Sequence, residues 1–225
     1  MMPGSPCHTV LPQLMRTPAW ENACHDRRRP RVERMLRRAL DVAGALAGLV
    51  ASVPLLVGCG LWIKVVDGGP IFYRQWRVGR DGWLFPIYKV RTMRLAAEAA
   101  GEARFASDTD PRILPGCGWM RKSHVDELPQ FWNILRGEMC LVGPRPERPE
   151  IVEQLRGSVR GFERRLAVRP GLTGLAQVRN GYTNNLAGSR RKLAYDLRYL
   201  RRRSLWGDVT LVLQTAPKVW DRSAL

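Results

Sequence analysis

The chain opens without any hydrophobic period, passes through one long apolar run and then breaks into short alternating and helical stretches. Residues 1–34 are rich in Pro, Arg, Cys and His, and they predict a flexible basic arm. Met35 offers an alternative start. Residues 35–66 predict a membrane-directed helix, with Val42 to Ile63 free of charge and long enough to cross a bilayer. Pro54 sits in its middle and predicts a kink. Basic residues flank both sides, from Arg27 to Arg38 before and from Lys64 to Arg80 after. A positive-inside bias cannot orient such a segment. Three readings stay open: a re-entrant helix with both ends on one side, a single span, and a buried core helix.

Residues 67–225 have the composition of a soluble domain. Ile71 to Tyr73 and Leu84 to Arg91 predict short strands around a Gly79 to Gly82 turn. If the second strand is extended, Lys89 and Arg91 leave it on the same face as Ile87. Ala96 to Arg104 predicts a helix and Ser107 to Gly118 a loop. Further helices are predicted at 127–136, 147–156, 187–203 and 208–220. The fold class is α/β, mainly α: a membrane helix followed by a small domain of helices and short strands.

Charge sharpens this picture. The net charge of +17 predicts an anionic partner, which leaves nucleic acid, anionic lipid and phosphorylated substrates in play. Arginine dominates the excess, and its planar fork suits phosphate. The five cysteines have no paired spacing, so a disulfide framework is not expected and a reducing compartment is. Cys7-His8 and Cys24-His25 match no standard zinc spacing.

Asp126 and Glu127 are the first candidates for chemistry. Pro129 is tolerated only in a first helical turn, which places a helix start near Asp126, with Asp126 as its N-cap and Gly137 as its stop. A carboxylate held ionised there could attack phosphorus. Its neighbour could hold a divalent cation together with phosphate oxygens. Taken alone, the pair could equally be ordinary helix-start chemistry. Gly143-Pro144-Arg145-Pro146 predicts a stiff strut presenting Arg145, or a plain linker. Lys89 and Arg91, with Gln75 and Arg77, could line a phosphate pocket or be solvated strand charges. Pro170 to Gly174 predicts a tight turn and a candidate anion nest. Arg190 to Arg203, with Leu193, Leu197 and Leu200 on one side, fits a basic helix on anionic lipid or a solvated face over a core stripe.

In this order the motifs resemble one family. They are Arg38 to Asp41, Gly69-Pro70, Gln75 with Arg77, Lys89 to Met93, Asp110 to Arg112 and Arg121-Lys122. They continue with Asp126 to Gln130, Asn133, Gly137, Met139, Val142 to Pro146, Pro170 to Gly174, Ala176-Gln177, Tyr195-Asp196, Tyr199, Ser204 and Asp208. The chain resembles the bacterial sugar transferases, the monotopic polyprenyl-phosphate phosphoglycosyl transferases, over roughly residues 37 to 220. The resemblance implies transfer of a sugar-1-phosphate from a UDP-sugar to undecaprenyl phosphate with release of UMP, at the start of exopolysaccharide or glycan assembly. It implies Asp126 as nucleophile through an aspartyl-phosphosugar intermediate, Glu127 as Mg²⁺ ligand, and Lys89, Arg91, Arg121 and Arg145 as phosphate binders. Asp196 falls in a motif that resembles part of the site. The resemblance also implies a re-entrant helix and the cytoplasmic face of the bacterial inner membrane, next to anionic lipid.

Some positions depart from the family's pattern. The usual Ser-Pro of the kink is Val53-Pro54 here, with Ser52 one residue earlier, and Ile113-Leu114-Pro115 replaces the usual loop after Arg112. Cys140 stands where serine is common. The four-helix region that precedes the catalytic unit in larger members is not recognised, so a minimal unit is expected. Rival functions are a membrane glycosyltransferase releasing UDP, an inactive scaffold, and a basic nucleic-acid-binding membrane protein. Against the last, no aromatics interleave the basic residues at a stacking period, and no specific nucleic acid is expected. The sugar stays open, with glucose or galactose as the expectation and Tyr182 to Asn184 as a candidate contact. A homodimer is also left open.

Overall fold

The computed structural model describes residues 30–95, 110–180 and 185–215. The predicted helix at 96–104, most of the arm and the Tyr182 to Asn184 segment lie outside them. The described residues are mainly helical, with two short pairs of strands.

Helix α1 runs from Arg31 to Asp67, so it begins inside the segment predicted to be an arm. An i,i+4 pair between Glu33 and Arg37 supports that added turn. It ends at Gly68 in the left-handed conformation. The chain stays helical through Pro54. Pro54 cannot donate to the carbonyl of Val50; just before it, the Ser52 hydroxyl donates to the carbonyl of Leu49 at 2.8 Å.

One stripe of α1 packs on the domain. Arg37, Ala45, Ser52, Cys59 and Ile63 are buried, and Gly44, Gly48 and Gly60 take Leu141, Phe131 and Ile71 against the helix. These positions recur at helical spacing and define one face. The rest is bare and apolar: Leu46, Val50, Val53, Val57 and Leu61 are all about half exposed or more. That rules out the core-helix reading, because a core helix buries its whole circumference.

The stripe's polar members are pins. Arg38 donates to the carbonyls of Ile134 and Leu135 at 2.7 and 2.8 Å, capping the end of a second helix. Asp41 accepts from the backbone N–H of Leu141 at 2.9 Å. Arg37 pairs with Asp208, far along the chain. The Arg38 to Asp41 motif is therefore structural.

β1 (Phe72–Val78) and β2 (Leu84–Val90) form the predicted antiparallel hairpin, with Gln75 opposite Ile87. α2 (Gly118–Lys122) is a short helix within what reads as loop and turn. α3 spans Gln130–Arg136 and stops at Gly137 in the left-handed region. Asn133, fully buried in α3, accepts from the N–H of Tyr88 at 3.1 Å and donates to Pro86 O at 2.7 Å. It locks α3 to the hairpin.

β3 (Cys140–Val142) pairs in parallel with β4 (Gly171–Thr173). This overturns the reading of Pro170 to Gly174 as a turn and anion nest: the N–H of Gly171 is already donated to Pro144 O at 2.9 Å. The glycines serve close approach. A Cβ on Gly171 would lie 2.0 Å from the nitrogen of Gly143.

α4 (Pro149–Ser158) has Pro at its first position, as its start demands. α5 (Leu175–Asn180), α6 (Leu186–Arg202) and α7 (Leu205–Thr215) complete the described chain. On α6, Leu193 and Leu200 sit in core clusters with Leu197 packed beside them, so the leucine stripe faces protein and the arginines face solvent.

Candidate active site

Four pieces of chain converge. The hairpin contributes Lys89 from the end of β2. A 3-10 turn at Val125–Glu127 contributes both carboxylates. The segment after β3 contributes Arg145, and α2 contributes Arg121.

The carboxylate turn is sharper than the sequence suggests. His124 adopts the left-handed region (φ 54°), and its carbonyl accepts the N–H of Glu127 at 3.0 Å. A half-buried non-glycine residue held in the left-handed region two positions before Asp126 is backbone strain of a kind found at functional sites. Asp126 is not the N-cap of α3. That place belongs to Pro129, and no side chain caps the helix. The Asp126 carboxylate is thus left free for other work.

The two carboxyls live in different surroundings although both are buried. Glu127 receives Arg145 as a fork, with Nη1 donating to Oε2 at 3.0 Å and Nη2 to Oε1, and Lys89 Nζ at 2.7 Å. Burial disfavours its charge, but Arg145 and Lys89 outweigh burial and hold its pKa well below the usual range. Asp126 has Lys89 only at 3.9 Å. Burial outweighs the attraction of Lys89 and of the more distant Arg121 and Arg145, and pushes its pKa up to about 6. The helix-terminus argument, which would have kept Asp126 strongly acidic, gives way to burial. Neighbouring carboxyls with divergent acidities are a recurring sign of divided labour.

The structure brings together Lys89, Arg121, Arg145, Asp126 and Glu127. Arg121 approaches Thr92 Oγ1 at 3.5 Å and adds positive potential at Asp126. Two predicted residues sit elsewhere. Arg91 is buried and pairs with Asp67 at 2.7 Å, with its Nε on Pro70 O at 2.6 Å, tying the hairpin to the end of α1. Asp196 is buried behind the site, where it accepts from Arg165 Nε at 2.8 Å. Gln75 and Arg77 also stand behind: Arg77 donates to Gln75 and, at 3.2 Å, to Pro146 O.

Residue-by-residue reading missed His124, Glu147 and Arg165. Arg165 lies in a basic run with Arg160, Arg164 and Arg169 that looks like surface. Only the neighbouring Phe162 and Leu166, both buried, could have hinted at an inward face.

The sequence profile described as "Bacterial sugar transferase" matches residues 32–222. A UDP-N-acetylgalactosamine-undecaprenyl-phosphate N-acetylgalactosaminephosphotransferase of Aeromonas hydrophila is 38% identical over 80% of this chain and 42% of its own length. UDP-glucose:undecaprenyl-phosphate glucose-1-phosphate transferases of Escherichia coli K12 and Caulobacter vibrioides are 36% and 39% identical. They match 83% and 84% of this chain, and 40% and 72% of their own lengths. The chain thus spans about two fifths of the first two relatives and nearly three quarters of the third. With its pinned apolar helix, its buried carboxylate pair and a profile match across almost all of its described residues, the chain belongs to the bacterial sugar transferase family.

Proposed function

We propose that this protein transfers a sugar-1-phosphate from a UDP-sugar to undecaprenyl phosphate and releases UMP. One observation carries the reading within the family: of two adjacent buried carboxyls, Glu127 is bonded directly by Arg145 and Lys89, whereas the nearest cation to Asp126 stops at 3.9 Å and burial leaves it the more basic of the two. A carboxylate with a pKa near 6 is mostly ionised at neutral pH and a better nucleophile than an ordinary aspartate.

The steps balance as follows. An Asp126 carboxylate oxygen attacks the sugar-bearing phosphorus of the donor. The bridging P–O bond breaks and UMP leaves with the electron pair. A phosphate oxygen of the polyprenyl acceptor then attacks the same phosphorus, and the Asp126 carboxylate departs. Arg145, Lys89 and Arg121 offer positive charge where the diphosphate gathers negative charge. Arg91, bound to Asp67, supports the hairpin that carries Lys89.

Asp126 and Glu127 also suit Mg²⁺, which takes one or two carboxylates and completes its shell with phosphate oxygens and water. Among the described residues no set of three or more His, Cys, Asp or Glu side chains could cage a metal. A cation shared with substrate would take Glu127 as its protein ligand only where Arg145 and Lys89 gave up part of their hold on that carboxylate. Such an ion would neutralise diphosphate charge.

The membrane arrangement is part of the proposal. α1 would be about 55 Å long at helical rise, well beyond a hydrocarbon core of about 30 Å. Yet both its ends are tied to the same domain: Arg38 to α3, and Trp62 to Pro115 O at 3.1 Å. A helix pinned that way favours entry into one leaflet over a crossing, with the domain on the cytoplasmic face of the inner membrane. Accessibility labelling in sealed vesicles that reached residue 31 and the domain from opposite sides would sink this.

The activity is tested with membrane fractions, Mg²⁺, undecaprenyl phosphate and several UDP-sugars. UMP with label passing into the lipid phase is expected, and the productive donor names the sugar. Release of UDP would replace the reading with simple glycosyl transfer.

A further inference from the structure

Arg145 must aim its fork to reach Glu127, yet the chain that carries it has little local structure. Pro144 and Pro146 flank it, and neither can donate a backbone hydrogen bond. Their restriction of Gly143 and Arg145 makes the segment stiff, but stiffness alone does not fix where it points.

Its direction comes from four consecutive carbonyls. Pro144 O accepts from the N–H of Gly171 at 2.9 Å, and Glu147 O accepts from the N–H of Val78 at 2.9 Å. The two between are taken by side chains. Arg145 O accepts from Arg165 Nη2 at 2.8 Å, and Pro146 O accepts from Arg77 Nη1 at 3.2 Å.

Arg165 is itself fixed on every side. Its side chain is 1% exposed. Nε donates to Asp196 at 2.8 Å, Nη1 lies 3.5 Å from Glu147, and the guanidinium stands 5.0 Å over the ring of Phe162. Glu147 is shared with Lys192 of α6. A buried guanidinium with a carboxylate at one edge and a carbonyl at another can hold that carbonyl in one place.

We infer that Arg165, locked by Asp196, is a positioning residue that sets Arg145 for the phosphates of the nucleotide donor. Asp196 then acts through Arg165 and does not touch substrate. This rests on the proposed function, and it assigns a task to a buried pair that touches neither active-site carboxylate. If the carbonyl of Arg145 is released, its guanidinium loses its registry on Glu127 and on any anion beside it. The loss should fall on donor binding more than on the chemical step.

The test uses the full-length protein in detergent micelles. Asp196 left alone would be an unpaired buried charge, so the main variant removes both charges, R165M with D196N. A milder variant, R165K, can reach one acceptor but cannot fork to three. Four quantities are read: the melting temperature, UDP affinity by calorimetry with Mg²⁺ present, and KM and kcat for the productive UDP-sugar. The paired variant is expected to weaken UDP binding and raise KM at least tenfold, with a smaller fall in kcat, and R165K to lie between it and the parent. UDP affinity within twofold of the parent in a folded paired variant overturns the inference. If the paired variant does not fold, parent-like affinity in R165K overturns it. D126N separates this outcome from failure of the function itself: it should lose turnover while still binding UDP. Turnover retained in D126N would remove the nucleophile and leave the binding result standing.

Discussion

Two buried pairs of carboxyls sit on either side of the Pro144–Glu147 segment, and they differ instructively. In front, Glu127 is drawn low by Arg145 and Lys89, and Asp126 is pushed up to about 6. Behind, Glu147 is held at about 2: its burial is outweighed by Lys192 and Arg165. Asp196 is raised by burial there, even against Arg165. Both regions are buried and crowded with basic side chains. What separates them is completion of hydrogen bonds. Asp196 has a direct donor at 2.8 Å, whereas the nearest ammonium to Asp126 stands at 3.9 Å. Burial and charge alone do not mark a reactive site. On the proposed reading, a buried carboxylate whose partners stop short of it does.

The strongest way to break this comparison is to neutralise one carboxylate on each side. D126N should lower transfer by about 10³-fold or more, since loss of a covalent nucleophile leaves only binding and electrostatics. The protein should remain folded. Substantial residual turnover, measured as UMP release, would remove Asp126 from the chemistry and make the front pair as structural as the back one.

The mirror experiment is D196A. It strands the guanidinium of Arg165, with only the more distant Glu147 in compensation, and should cost about 3 kcal/mol of stability. Urea unfolding followed by circular dichroism would measure it. A loss below about 0.5 kcal/mol would mean that the rear pair is as poorly satisfied as the front one.

How far the sequence anticipated this division depends on the range of the interactions. The hairpin, α4, α6 and the stop at Gly137 follow from local rules of period, proline and glycine, and they were legible. The family motifs pointed to Asp126, Glu127, Lys89, Arg121 and Arg145, which do converge. The separation of Lys89 from Arg91 was not legible. Alternation put them on one face, but β2 ends at Val90, and Asp67 draws Arg91 aside. Nor could alternation show that Arg165 points inward, because its partners lie 20 and 31 residues away along the chain. The Pro170 to Gly174 motif was misread for the same reason. Its glycines answer to Gly143, a neighbour in space only.

The raised acidity of Asp126 gives a third test, smaller than the first two. If the reaction needs the ionised carboxylate, kcat/KM should halve near pH 6 and fall about tenfold for each further unit of acid. A limb near pH 4 would show that Lys89, Arg121 and Arg145 fully offset the burial of Asp126.

The smallest effect concerns stability, and it runs opposite to activity. The folded pKa of Asp126, about 6, lies above its ordinary value of 3.8. Such a group adds stability that is fully present below 3.8 and is lost as pH rises through about 6. At neutral pH the protein therefore carries an ionised carboxylate that its fold disfavours. D126N removes that charge without changing the side chain's shape. It should stabilise the protein by about 1–3 kcal/mol near pH 7.5, and the gain should shrink toward zero as pH approaches 4. Thermal unfolding of both proteins at the two pH values would measure this. A gain of equal size at both would trace to new hydrogen bonds of the amide, and the cost of holding Asp126 ionised would then be absent. A gain confined to high pH would identify that cost as the stability given up to keep Asp126 ionised, a cost that Glu147, held low by Lys192 and Arg165, does not carry.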